Sequence, residues 1–509
     1  MMKILTERKL IDAGYAPGPE LARVVRRVEG YEARGITEGK YALKLLKRDH
    51  GPPAPRPAMR DRPAPLAEAI APASRDEREN VAIVRRQLGQ LLRAPGIARG
   101  AILPDACPAG PGVATMPVGG AIAVENAIIP SAHSADICCS MFATFYDERS
   151  GVAKELDALA SATRFGPGHR HLDDLVHDPV LDEPVWHNRF LSGMRDRAHA
   201  HLADQGDGNH FAFLGEAEFD DSALAMLRLT GHAALATRLA RKRFRVLVTH
   251  HGSRSLGAHV FKRGQVAALK QVARRGGHIP EAAAWLDAGS PEGRDYWEAL
   301  EYVARWTRAN HRAIHRRFLG RIGGEAAAEI GNEHNFVWRR GDLFVHGKGA
   351  TPAWRDEDGR PRLGLIPLNM AEPVLLVLGG DREEFLSFAP HGAGRNLSRT
   401  AMRRRFPDEA SRRHAIESST DGIDVRWFCG RPDLSETPLA YKDAASVRAQ
   451  IREFGLAEVV AEIRPLGCIM AGDSGRSWRD REEPLTPKQK RQIQHRRERR
   501  RTRQDLREW

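Results

Sequence analysis

The chain has 509 residues, 41% of them hydrophobic, and a formal net charge of +13, enough apolar content for a large core and for more than one subdomain. No stretch reaches the ~20 apolar residues of a membrane span, and the N-terminal "MMKILTERKLIDAGY" lacks the apolar core of a secretory signal. Five cysteines, two of them adjacent (Cys138, Cys139), do not make a disulfide scaffold, so a reducing cytoplasm is expected. The basic balance favours a polyanionic partner, nucleic acid first, although a membrane surface or solubility alone also uses such charge.

In chain order, residues 1–50 ("LARVVRRVEGYEARGITEGKYALKLLKR") carry a helical apolar rhythm and predict a small basic helical extension. Residues 51–66, within "HGPPAPRPAMRDRPAPL", predict a stiff proline-rich linker. From 67 to 473, helices and short apolar strands alternate with glycine-rich loops, an α+β pattern. There "DYWEALEYVARWTRANHRAIHRRFLGRI" predicts a long amphipathic helix and "PVLLVLGG" a buried strand. The basic tail, 474–509, predicts a helix or extended arm over nucleic-acid phosphates, or a solvated charged helix.

Four segments place metal-ligating side chains beside small residues. In "AHSADICCSM", Asp136 and Cys139 reach one ion only across a turn, because on a plain strand they would face apart. Carboxylate plus thiolate suits a borderline divalent ion such as Mn²⁺ or Zn²⁺, while a buried cysteine also packs without ligating anything. "GDGNHFAFLG" offers Asn209 and His210. "FRVLVTHHGSRSLG" ends an apolar strand at His250 and turns through His251 to Arg254. "NEHNFVWRRGDLFVHGKGATPA" supplies His334, Asn335, His346 and Lys348. Each histidine alone reads equally as a hydrogen-bonded structural imidazole; their shared polar-glycine setting argues for a common site. Finally, "APHGAGRNLSR" sets His391 before Gly392, Ala393, Gly394 and Arg395, with Arg399 behind. That is a tight surface turn, or a loop that admits a bulky anion.

The series PD, DxxC, GxGNHF, HxGSRxLG, HNF…HxKGAT, IPxxM, HGAGR…SR and AYKD, from Pro104 to Gly472, resembles the RtcB family of RNA ligases. The resemblance implies an α+β fold of mixed sheets and helices around a central metal cleft. It implies joining of an RNA 2′,3′-cyclic phosphate or 3′-phosphate to a 5′-hydroxyl, with GTP and two Mn²⁺ ions. His391 would be the nucleotidylated nucleophile, with Asp105 close by. Asp136, Cys139, His210, His250 and His334 would be the metal ligands, Cys139 bridging, Asp136 and His210 on one ion, His250 and His334 on the other. Asn209, Phe211, Asn335, Gly392, Ala393, Gly394, Arg395 and Tyr441 would hold the nucleotide, and Arg254, Lys348 and Arg399 RNA phosphates. The expected partner is RNA, a broken tRNA or rRNA, with an upstream or activating RNA-processing protein; a monomer is expected.

Several positions depart from the family pattern. Ser134, Cys138 and Ser140 stand where glycines are usual, and their Cβ atoms predict a differently shaped ligand loop. "PLNMAE" (Pro367 to Glu372) replaces a glycine-rich box. Phe213 and Met470 replace a carboxylate and a lysine of the guanine edge, which predicts relaxed or altered guanine preference unless backbone groups read the base instead. These changes suggest a divergent paralogue, with a capping enzyme that does not seal, or an inactive RNA-binding protein, as rival readings.

Overall fold

Two β-sheets share a core, and the functional residues gather where they join. In the eight-stranded sheet the order is Ala328–Glu333, Ser140–Tyr146, Arg243–His251, Phe211–Glu218, Ala457–Met470, Val374–Gly379, Leu363–Pro367, each pair antiparallel. Asp424–Trp427 runs parallel beside Ala457–Met470. Arg243–His251 is buried at every position after the first, as a continuous apolar run with both faces covered should be. "PVLLVLGG" forms the expected buried strand, Val374–Gly379. The five-stranded sheet runs Leu66–Glu68, Ile97–Cys107, Val118–Glu125, Leu343–Lys348, Asn335–Arg340, its first pair parallel and the rest antiparallel.

The long helix is Pro291–Ile322, one turn more than its apolar rhythm marks. Ser290 caps it by accepting from the Gly293 amide, Pro291 opens it, and Gly323 closes it with φ 64°. Along its length it touches both sheets. Tyr302, Val303 and Trp306 share a core with Ile122, Val124 and Phe336 of the smaller sheet, whereas Phe318 and Leu319 pack with Tyr146, Leu247 and Ile469 of the larger. The opposite face of the larger sheet is covered through Phe145, Phe213, Val248 and Leu376.

The computed structural model describes residues 4–15, 19–52, 56–110, 112–241, 243–473 and 485–505. Near the N-terminus, helices Glu7–Asp12, Pro19–Glu32 and Gly39–Asp49 close a small core of their own around Leu10, Val28, Tyr31 and Leu46. Part of the segment that reads as a stiff spacer lies against the body. The Arg60 guanidinium donates to the carbonyls of Leu92 (2.6 Å) and Ile97 (2.8 Å), and Leu66 enters the smaller sheet. Proline spacing alone could not reveal that docking. In the tail, Pro487–Asp505 is a helix held by Leu485 and Ile493 on Ala200, Leu172 and Leu175. Among the described residues no helix is long and apolar enough to cross a membrane.

Candidate active site and metal centre

The side chains converge at one end of the larger sheet because strand ends deliver them there. Cys139 precedes the Ser140 strand, His210 precedes the Phe211 strand, and His250 sits near the end of its own, opposite Met141 and Phe211 in register. His334 is the single residue between Ala328–Glu333 of the larger sheet and Asn335–Arg340 of the smaller. It is fixed by its amide on the Cys139 carbonyl (2.9 Å) and by its own carbonyl on the Ala350 amide (2.9 Å).

Two groups of ligand atoms result, Cys139–His250–His334 and Asp136–Cys139–His210, the atoms of each within 4.8 Å of one another and Cys139 in both. Cys139 Sγ lies 3.2 Å from His250 Nε2 and 3.6 Å from His210 Nε2; His250 Nε2 lies 3.1 Å from His334 Nε2, and His210 Nε2 2.8 Å from an Asp136 oxygen. Such spacings resemble the ~3.3–3.6 Å edges of a tetrahedron built on N and S ligand bonds. Burial lowers His250 to about 3, with His210 and His391 adding to the effect. Burial likewise holds His334 well below its usual range, reinforced by His391 and His250. Both imidazoles are therefore neutral, with lone pairs free to ligate. Burial would raise the Asp136 carboxyl, but His210, Cys139 and Arg254 outweigh it and bring the group to about 2. The Cys139 thiol is pushed up by burial and by Asp136, so it loses its proton only beside a cation. Neutral imidazoles, a carboxylate and a thiol crowded nitrogen to sulfur fit divalent ions. The His250 ring is oriented by its Nδ1 contact with the Asn209 carbonyl (3.1 Å).

The ligand turn uses left-handed backbone at two non-glycine residues. Ser134 (φ 78°) and Cys138 (φ 57°) adopt positive φ despite their Cβ atoms, and Ser140 lies in a strand. The Ser253 hydroxyl on the Ile137 carbonyl (2.6 Å) and the Cys138 amide on the Asn335 carbonyl (2.7 Å) hold the turn in place. Gly252 has a separate reason to be glycine, because a Cβ there would overlap the Asp136 carboxylate.

His391 follows the short strand Phe388–Pro390. Its Nδ1 lies 2.5 Å from an Asp105 oxygen and 3.1 Å from the Gly349 carbonyl, and its ring centroid is 4.8 Å from that of His334. Asp105 is fully buried, on the stretch of Ile97–Cys107 where the ladder with Val118–Glu125 breaks register; such an irregularity re-aims a side chain. Gly394 (φ 73°) presses on Asp105, and a Cβ would overlap the aspartate's carbonyl oxygen.

A cleft of about 350 Å³ is lined by His391, Gly392, Ala393, Gly394, the ligands Asp136, Cys139, His250 and His334, and by Asn209, Asn335, Phe211, Lys348, Arg395, Arg399 and Tyr441. Lys348 is lowered to about 8 by burial, its amine on the Met116 carbonyl (3.0 Å). Two of the arginines expected at phosphate also meet protein acceptors. Arg254 is not among the residues lining the cleft; it sits behind the Gly206–His210 loop, reaching Asp207 (3.5 Å) and the Gly166 carbonyl (3.4 Å). Arg395 points its guanidinium at Glu436 (3.2 Å), the Ser435 carbonyl (2.6 Å) and the Leu397 carbonyl (3.4 Å). Arg395 lines the cleft all the same, as does Arg399.

Glu436, which no motif marks, is the residue that sequence reasoning misses. Almost fully buried, it accepts from Arg395, Arg399 (2.7 Å) and the Tyr441 hydroxyl (2.9 Å). Phe213 and Met470 also line the cleft, with Met370, Val374 and Cys468. His251 and His346, near the ligands in sequence, are structural. His251 stacks on His311 at 3.5 Å, and the His346 Nε2 accepts from the Ile129 amide (3.0 Å).

The family model of the tRNA-splicing ligase RtcB matches residues 184–471. The RNA-splicing ligase RtcB of Mycobacterium tuberculosis is 30% identical over 343 residues, 62% of this chain and 76% of that protein. The tRNA-splicing ligases RtcB of Archaeoglobus fulgidus and Aeropyrum pernix are each 27% identical, over 54% and 44% of this chain. Of those two archaeal relatives the chain spans 60% and 51% of the length. Asp105, Asp136 and Cys139 precede the matched segment, and the fold alone brings them to His391. The chain belongs to the RtcB family.

Proposed function

We propose that this chain joins RNA ends, a 3′-phosphate (or a 2′,3′-cyclic phosphate first opened by water) to a 5′-hydroxyl, through a nucleotide carried covalently on His391. The observation that carries the reading is the His391 ring, bonded through Nδ1 to the buried Asp105 and facing a cleft that it shares with Asp136, Cys139, His250 and His334 of the two ligand groups. With the Nδ1 proton directed at the carboxylate, Nε2 keeps its lone pair and is the nitrogen left to attack. Asp136, Cys139 and His210 would hold one divalent ion and Cys139, His250 and His334 the other, Mn²⁺ in this reading; bound there, the ions supply Lewis acidity against phosphate charge.

In the first step His391 Nε2 attacks the α-phosphorus of a nucleoside triphosphate, GTP in the simplest case. The P–N bond forms, the bond to the β-phosphate oxygen breaks, and pyrophosphate leaves. An oxygen of the RNA 3′-phosphate then displaces the histidine, which recovers its lone pair, and the RNA end becomes a mixed pyrophosphate. The 5′-hydroxyl of the second RNA attacks the RNA phosphorus, loses its proton to solvent, and expels the nucleoside monophosphate. Asn209, Asn335, Lys348 and the half-exposed Arg399 face the cleft as phosphate donors.

One wall of the cleft is Phe211, Phe213, Met370, Val374, Cys468 and Met470. Of the carboxylates lining it, Asp136 belongs to the ligands and Glu436 has both oxygens engaged. The base is therefore held by contact rather than through a hydrogen-bonded guanine edge, and nucleotides other than GTP serve. Incubation with Mn²⁺ and radiolabelled triphosphates, then with 3′-phosphate and 5′-hydroxyl RNAs, tests the reading. Expected are an acid-labile label that His391→Ala abolishes, and a joined product. A label that survives in His391→Ala defeats the mechanism, and a nucleotide-tipped RNA that never joins replaces ligation with capping.

A further inference from the structure

The tail helix Pro487–Asp505 carries nine lysines and arginines against Glu498 and Asp505, and its one large apolar residue is Ile493. Ile493 is fully buried on Ala200, while Lys488, Lys490 and Arg491 are exposed. Ile493 thus anchors the helix, and the cations beside it that are described stand in water. No apolar face remains for insertion into a lipid surface, which an interfacial helix requires.

Its seat is part of a larger basic platform. The helix Arg195–Ala200 beneath it also packs on the helix Arg254–Arg274. That second helix begins under the loop carrying His210, where Arg254 meets Asp207. Eight or nine residues on, about 12–14 Å along the axis, stand the exposed Lys262 and Arg263. The His259 imidazole marks how closely the cations gather, since burial first and then Arg263, Arg197 and Lys262 lower it to about 4. Basic side chains therefore continue from behind the His210 loop outward to the docked tail. At the ~3.4 Å per nucleotide of a stacked strand, the rise from Arg254 to Lys262 and Arg263 alone spans about four nucleotides, so only a strand longer than that reaches the platform.

We propose that the tail helix, with Lys262 and Arg263, forms a track for the sugar-phosphate backbone of the RNA strand lying outside the cleft, several nucleotides from the reacting end. The inference rests on the RNA-joining reading above. Phosphate contacts of this kind add affinity and salt dependence without sequence preference.

The test uses the full chain with K488Q/K490Q/R491Q and, separately, K262Q/R263Q. Binding of single-stranded 3′-phosphate RNAs, one about 15 nucleotides long and one of three, is measured from low to high salt. On the long RNA the slope of log affinity against log salt should become shallower by about 2 for the triple and about 1.4 for the double variant, at about 0.7 per lost contact. On the three-nucleotide RNA neither variant should change binding. An unchanged slope on the long RNA overturns the track, and so does an equal loss on the short one, or wild-type binding to anionic phosphatidylserine vesicles that outcompetes the long RNA. His391 labelling without RNA is recorded in parallel. If wild type takes no label, the ligase reading fails by itself, whereas normal labelling with an unchanged salt slope sinks only the track.

Discussion

Replacing Asp105 with Asn isolates what the carboxylate does for His391. Asp105 is fully buried, belongs to neither ligand group, and meets the imidazole Nδ1 at 2.5 Å and the His391 amide at 3.2 Å. The amide is nearly isosteric but uncharged, and if its NH₂ faces Nδ1 the ring must move its proton to Nε2, the attacking atom. A hydrogen bond to a charged group contributes about 1.5–3 kcal/mol, so its loss should slow His391 nucleotidylation by about 10- to 150-fold at ~1.4 kcal/mol per decade. The assay is single-turnover formation of the acid-labile label with saturating Mn²⁺ and nucleotide, alongside Mn²⁺ affinity by calorimetry. The rate should fall while ion affinity holds. Wild-type labelling by the variant would refute the argument, and an equal fall in Mn²⁺ affinity would move Asp105 from the nucleophile to the ion site.

Cys139→Ser removes the one ligand common to both groups. Bound Mn²⁺ per chain, counted by mass spectrometry, should drop at both sites, and labelling should fall by more than the about 10–100-fold typical of outer partners; loss of one ion alone would refute the bridge. Burial holds His133 at about 4, His315 at about 3 and His346 at about 3 in the folded chain, against a usual 6.5. The unfolded chain therefore takes up the extra protons below pH 6.5. The stability these groups contribute is complete above that value and falls with acid by about 1.4 kcal/mol per pH unit per histidine until the folded values are reached. Urea midpoints that do not move between pH 7 and 5 would contradict this. Labelling rates with GTP and ATP should differ by less than about 10²-fold, because a wall without polar partners discriminates weakly where a hydrogen-bonded one reaches about 10⁴–10⁵; strict GTP dependence would show that backbone groups read the base.

Much of this site was legible because its residues sit where sequence patterns change. His250 ends an apolar run and His210 precedes one, while His391 opens a glycine loop, and each such boundary is a place where a side chain leaves the ladder and faces a cavity. What stayed hidden depends on partners distant in sequence. Arg254 and Arg395 offer the same forked donors whatever accepts them, and only the folded chain shows Asp207 and Glu436 beside them. Glu436 itself looks like any acid in a polar loop until Arg395, Arg399 and Tyr441 close on it. For the same reason the positive φ of Cys138 could not be foreseen, since the turn around it is held by bonds to Ser253 and Asn335 that no local rule contains.

The position of His334 explains why ion binding and the docking of the two sheets are one problem. Being the only residue between a strand of the larger sheet and a strand of the smaller, it cannot shift toward or away from Cys139 and His250 without moving both. His391 and Asp105 enter from the side of the smaller sheet, and Cys139, His210 and His250 from the larger. A cation drawn to the shared thiol would therefore bear on the joint itself, and the His391 ring, 4.8 Å from that of His334, is held beside the ligand groups by the same joint. The core at the joint is Ala121 and Val345 from the smaller sheet against Ile366, Leu375 and Val377 from the larger. Those apolar contacts, which carry no chemistry of their own, are what keep nucleophile and ligands in one cleft.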